Sequence, residues 1–147
     1  PPTPSPTLFP YTTLFRSLAY RYTTSNIVHQ AVKLTDREER ESFLDWLWDF
    51  EFNKLGLPVP DKVVFLDMDP EVADRLIAAR AAAQAQERDI HERDKEYLHR
   101  CHAAYEELAK KYGWTRVACS EHGEPRAIEA IHADVYAAIM PLLEGIE

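Results

Sequence analysis

The chain has 147 residues, 46% of them apolar, which is enough for one ordinary domain with its own core. Its formal charge of −8 excludes a general binder of nucleic acid or anionic membranes, because such a protein needs a basic face. The sequence has no apolar run near the ~20 residues of a membrane span. Its two cysteines form no C-x-x-C pattern, which is typical of reduced thiols in a cytoplasmic protein.

Residues 1–17 are predicted to be a non-native leader. The run from Thr7 to Ser17 resembles the conceptual translation of a short-read sequencing adapter, and it lacks the regions that define a signal peptide. A proline-rich linker is the alternative. We therefore expect the domain to occupy residues 18–147, and we expect that natural sequence preceding Leu18 is missing.

The stretch after the leader predicts a strand end, a turn and two helices. Residues 18–22 are typical of a strand end, and the polar residues after them favour a turn before a helix at 27–34. Thr35 and Glu38 have capping-box spacing, which predicts a second helix that ends at Gly56. Apolar residues cover well over half of this helix, which indicates either burial within its own domain or a subunit interface.

The apolar run at residues 63–66 predicts a strand that is buried on both faces in a parallel sheet. Asp69 can cap the next helix, and Pro70 suits its first position. That helix is expected at 71–83. Residues 78–88 are rich in alanine and glutamine and have no large apolar side chain, so we expect them to be mobile or loosely helical.

Three more elements complete the predicted order: a helix at 92–112, a strand at 115–119 and a closing helix at 127–143. Because helices separate the strands, the strands should pair in parallel. The predicted fold class is therefore α/β, with a parallel sheet flanked by helices.

Polar residues after the first predicted strand form one candidate site. Arg21 could clamp a phosphate through paired guanidinium donors. Asn26 and Gln30 lie four apart on one helical face and could read a base edge, while His29 could stack on a base. Ordinary turn and capping chemistry is the alternative interpretation.

Two further groups of residues are candidates. Arg75, Arg80 and Arg88 surround the segment without a core anchor and could act in phosphoryl transfer, although a solvated helix face is the commoner explanation. His99 and His102 could share a face, but no third ligand has metal-site spacing, so no metal site is predicted. The sequence also contains no G-x-x-x-x-G-K-S/T loop, and hence no triphosphate-binding element.

Four segments together resemble thymidylate kinase, most closely the form found in Gram-positive anaerobes. These are residues 21–30, 43–52, 56–61 and 89–98. The resemblance implies a P-loop nucleoside monophosphate kinase that moves the γ-phosphoryl group of ATP to dTMP with Mg²⁺. It also implies a homodimer formed through helices, which would explain the two-sided apolar helix.

The resemblance assigns roles to individual residues. Arg21 would hold the acceptor phosphate, and Arg80 or Arg88 would act from a lid over the phosphates. The predicted catalytic residues are thus Arg21, Arg80 and Arg88, and the predicted substrate-binding residues are Arg21, Ser25, Asn26, His29, Gln30 and Glu92.

The sequence departs from this family in two ways. The P-loop and first strands would precede Leu18, and Tyr20 stands where the family has the aspartate of an Asp-Arg-Tyr motif. We therefore interpret the chain as the C-terminal two-thirds of a thymidylate kinase, and we expect this part to be inactive on its own. The alternatives are another nucleoside monophosphate kinase or a non-catalytic dimerising remnant.

Overall fold

The structure is a computed structural model that describes residues 17–84 and 95–144. Residues 1–16, almost all of the predicted leader, lie outside this description, as do the predicted site residues Arg88 and Glu92. The described elements are α1 (Thr23–Ala31), α2 (Arg37–Trp48), a π-helical segment (Asp49–Lys54), β1 (Val64–Asp67), α3 (Pro70–Gln84), α4 (Lys95–Tyr112), β2 (Thr115–Ala118), β3 (Ser120–Glu121), β4 (Glu124–Pro125) and α5 (Ile128–Glu144).

Strands β1 and β2 pair in parallel, which confirms the predicted α/β class with helices flanking a parallel sheet. Their register runs from Val64 opposite Thr115 to Asp67 opposite Ala118. The predicted burial of β1 on both faces is wrong for the described part of the chain, because Leu66 is 52% exposed. Successive side chains of a strand point to opposite faces, and among the described residues α4 covers only one of them.

The core lies between α1, α2 and α4. On each helix the core residues are spaced one, three or four apart, so that each helix turns one apolar stripe towards the other two. The buried cluster consists of Ile27, Val28, Ala31, Leu44, Leu47, Ala104 and Leu108. This cluster fixes α1, and with it the candidate residues on α1, against the rest of the domain.

The N-terminal caps of α2 and α3 test two local predictions. Asp69 Oδ1 accepts hydrogen bonds from the backbone N–H groups of Glu71 at 2.8 Å and Val72 at 3.3 Å, which confirms the predicted cap. The capping box predicted with Thr35 is wrong. Asp36 caps α2 instead, and its Oδ1 accepts from Glu39 N at 2.9 Å. An aspartate caps at least as well as a threonine, and it stands one residue later.

Other element predictions have mixed outcomes. The strand end predicted at residues 18–22 is wrong, since these residues have no strand partner among those described and Leu18 and Tyr20 are almost fully exposed. Helix α3 is regular as far as Gln84, so the described part of the loosely predicted segment is helical. The hairpin of β3 and β4 was not predicted. Of the described helices, none is long and apolar enough to cross a membrane.

Candidate functional site

Arg21 lies two residues before the first residue of α1, on an exposed stretch rather than at a strand end. Its backbone has φ of 67°, a left-handed conformation that non-glycine residues adopt infrequently. Its side chain makes no hydrogen bond or ion pair with the other described residues. The guanidinium group is therefore available to bind an anion near the N-terminus of α1.

The first turns of α1 bring Asn26 to a carboxylate distant in sequence. Asn26 Nδ2 donates to Oε1 of Glu51 at 3.2 Å, which joins α1 to the π-helical segment. Ser25 is half-buried in the same turn, and its backbone N–H donates to Tyr22 O at 3.0 Å. One turn further on, Gln30 Oε1 accepts from Lys33 Nζ at 3.2 Å. Asn26 and Gln30 thus lie on α1 as predicted, each with a protein partner.

His29 is half-buried against α4. Its Nδ1 lies 3.0 Å from the hydroxyl oxygen of Tyr97, and the two rings are stacked with centroids 6.3 Å apart. The ring of Tyr105 meets it edge-on at 6.4 Å, and Sγ of Cys101 lies 3.8 Å from Nδ1. The structure therefore places His29 in an aromatic contact between two helices, and base stacking by His29 stays a prediction.

The predicted lid residues are only partly described. Arg80 is exposed on α3, and no hydrogen bond or ion pair links it to a described residue of α1. Arg88 and Glu92 lie outside the described residues. The site that the structure brings together is consequently the group on and before α1, with Glu51 as the partner of Asn26.

Glu51 is the site residue that the sequence reasoning missed. It is only 6% exposed, and among the described residues its Oε2 has no hydrogen-bond partner. Burial raises the pKa of the Glu51 carboxyl, while the hydrogen bond from Asn26 acts in the opposite direction. The available signal was its place in the segment 43–52, one of the four that carry the family resemblance.

Tyr22 ties the start of α1 to the loop after the π-helical segment. Its hydroxyl donates to the backbone oxygen of Pro58 at 3.0 Å. Burial raises the pKa of the Tyr22 hydroxyl, and the nearby Glu51 charge raises it further. Together with the Asn26–Glu51 bond, this contact fixes residues 22–26 against residues 51–58.

A second polar cluster lies where β1 meets α4. Ligand atoms of Asp67, His102 and Glu106 come within 4.8 Å of one another, with His102 Nε2 only 2.6 Å from Asp67 Oδ1. The i,i+4 spacing of His102 and Glu106 was not considered as part of a metal site, and the absence of a metal site stays a prediction. Arg116 pairs with both carboxylates, so its guanidinium offsets part of their charge.

The described fold, a parallel strand pair flanked by helices, is of a class compatible with nucleotide kinases. No family model matches the chain. Over 95 residues it is 37% identical to the thymidylate kinases of two Mycobacterium tuberculosis strains, CDC 1551 / Oshkosh and H37Rv.

That similarity covers 64% of the chain and 44% of each relative, so the chain spans less than half the length of the curated relatives it matches. The resemblance to thymidylate kinase is confirmed by this match. Its finer assignment to the form of Gram-positive anaerobes stays a prediction.

Proposed function

We propose that the chain is part of a thymidylate kinase, whose whole protein transfers the γ-phosphoryl group of ATP to dTMP and gives dTDP for dTTP synthesis. The observation that carries this proposal is the 37% identity over 95 residues to two thymidylate kinases. The exposed Arg21 and the polar face of α1 support it, because they offer a cation and amides side by side. A nucleotide kinase of this kind would work in the cytoplasm.

In this proposal the chain contributes the binding site for dTMP, the acceptor of the phosphoryl group. Arg21 binds the 5′-phosphate of dTMP, since an unpaired guanidinium can donate two parallel hydrogen bonds to phosphate oxygens. Ser25, Asn26, His29 and Gln30 lie along α1 next to it and face the nucleoside. Arg80, Arg88 and Glu92 complete the site from the lid and the segment after it.

The residues of this chain do not fit a binding site for ATP, the phosphoryl donor, and Mg²⁺. The sequence has no G-x-x-x-x-G-K-S/T loop to cradle the phosphates of ATP. Arg116 pairs with the carboxylates of both Asp67 and Glu106, so we assign neither to Mg²⁺. Tyr20 offers no carboxylate next to Arg21. We therefore propose that ATP and Mg²⁺ are bound by other parts of the whole protein.

We further propose that the whole protein is a homodimer that uses the outer face of α2. Leu44 and Leu47 of this helix are buried in the core, but Trp46 is 51% exposed. Its ring stacks on Phe50 at 5.3 Å and forms an aromatic surface. A second apolar face on an already packed helix supports contact with another copy of the chain.

The experiment measures nucleotide binding and dTMP phosphorylation by the purified chain. We expect calorimetry to give tighter binding for dTMP than for AMP or GMP, and we expect no ATP-dependent phosphorylation of dTMP. Preference for another nucleoside monophosphate would favour a different kinase of this class. Binding of no nucleotide would favour the non-catalytic remnant, and dTMP phosphorylation by the chain alone would contradict the assignment of ATP to other parts of the protein.

A further inference from the structure

The pair formed by Asn26 and Glu51 has a direction that matters for recognition. A carboxylate accepts hydrogen bonds and does not donate them, so the amide of Asn26 must turn Nδ2 towards Glu51. The 3.2 Å contact has this arrangement. The opposite orientation would bring Oδ1 of Asn26 against a carboxylate oxygen, with repulsion and no hydrogen bond.

Burial makes this preference strong. Glu51 is 6% exposed, so water cannot readily replace Asn26 as the partner of its Oε1. Among the described residues, Asn26 supplies the one hydrogen bond that the Glu51 side chain receives. Turning the amide over would leave a buried charged oxygen without a donor, which is among the costlier changes in a protein interior.

We propose that Glu51 is a positioning residue that fixes the amide of Asn26 so that its Oδ1 accepts a hydrogen bond from a ring N–H of the bound base. Asn26 is exposed on α1, and Oδ1 has no hydrogen-bond partner among the described residues. With Nδ2 committed to Glu51, the group offered to a ligand is an acceptor.

This inference rests on the proposed function and adds a rule of specificity to it. Thymine carries an N–H group at ring position 3, which an oxygen acceptor can bind. Cytosine carries an unprotonated nitrogen at that position, which would face Oδ1 with lone pair against lone pair. Glu51 thus makes Asn26 select thymine over cytosine, although Glu51 itself is buried behind it.

The test has a readout on the protein alone. In the wild-type chain, the side-chain amide NMR signals of Asn26 should shift with pH, with a midpoint above the ordinary pKa of glutamate, because burial raises the pKa of Glu51. In Glu51→Gln this response should vanish. The matched control is Asp49→Asn, because Asp49 also accepts from an asparagine, Asn53 Nδ2 at 2.9 Å, but at an exposed position. That variant should leave the Asn26 response unchanged.

The second readout is the ratio of affinities for dTMP and dCMP. Glutamine at position 51 can accept or donate, so Asn26 can present either end of its amide. The preference for dTMP should then fall about fivefold, the worth of one net hydrogen bond, while Asp49→Asn keeps it.

The outcomes distinguish the inference about Glu51 and Asn26 from the proposed function. An Asn26 amide that does not respond to the titration of Glu51 overturns the inference whatever the chain binds, and this measurement needs only the wild-type chain. A normal response with an unchanged nucleotide ratio in Glu51→Gln overturns the specificity rule. A normal response in a chain that binds neither nucleotide contradicts the proposed function, and the specificity rule with it.

Discussion

Asp67 anchors the junction between the sheet and α4, and its replacement by asparagine should weaken the fold measurably. The side chain is 5% exposed at the end of β1. Its Oδ1 is 2.6 Å from His102 Nε2, and its Oδ2 accepts from Nε of Arg116. Asp67→Asn keeps the size of the side chain but removes its charge and half of its capacity as an acceptor.

The size of the effect follows from these two contacts. A hydrogen bond to a charged group contributes about 1.5–3 kcal/mol, and the Asp67 side chain makes two with described residues. Arg116 is 56% exposed, so water screens its share to about 0.5–1 kcal/mol. The amide retains one acceptor oxygen. We therefore expect Asp67→Asn to lower the free energy of unfolding by about 2 kcal/mol.

Urea unfolding followed by tryptophan fluorescence measures this change, at concentrations where light scattering shows a single species. Glu124→Gln is the control, because Glu124 pairs with Arg75 across 3.5 Å on the exposed surface. Glu124→Gln should lower the free energy of unfolding by no more than about 0.5 kcal/mol. A similarly small loss for Asp67→Asn, or a gain, would refute the view that Asp67 holds β2 and α4 together.

Three other changes test the core, a cap and a buried acid, each by the same unfolding measurement. Leu108→Ala should lower the free energy of unfolding by about 2–5 kcal/mol, since it opens a cavity between three helices; a loss below 1 kcal/mol would contradict the core assignment. Asp69→Ala should lose about 1 kcal/mol by uncapping α3, and Asp69→Asn should recover most of it. Because the pKa of Glu51 is raised, the native state holds a proton that the unfolded state releases, and wild-type stability falls as the pH rises through that pKa. The free energy of unfolding of Glu51→Gln, relative to that of wild type, should therefore be higher at about pH 7 than at about pH 4. The opposite trend would contradict the burial of a charged Glu51.

Local rules predicted the parts of the fold that depend on neighbours in sequence. Asp69 and Pro70 mark the start of α3 because capping involves only the next few residues. The apolar run before them predicted β1, and the helices between strands predicted parallel pairing. Where two caps stood side by side, as Thr35 and Asp36 do, sequence spacing could not decide which one the helix uses.

Predictions that depend on distant partners were less successful. Residues 18–22 have the composition of a strand, but a strand also needs a neighbour to pair with, and the described residues supply none. The candidate residues on α1 were found from a motif in sequence order. Glu51 was missed because its contact with Asn26 arises only when the π-helical segment packs beside α1, 25 positions away.

The most direct test of the proposed function is the contribution of the 5′-phosphate to binding by this chain. Calorimetry should show that dTMP binds at least about tenfold more tightly than thymidine, because the exposed Arg21 can pair with the phosphate. Arg21→Ala should remove this difference, and Arg37→Ala, which replaces an exposed arginine at the start of α2, should preserve it. Equal affinities for dTMP and thymidine in the wild-type chain, or a difference that survives Arg21→Ala, would contradict an acceptor-phosphate site at Arg21.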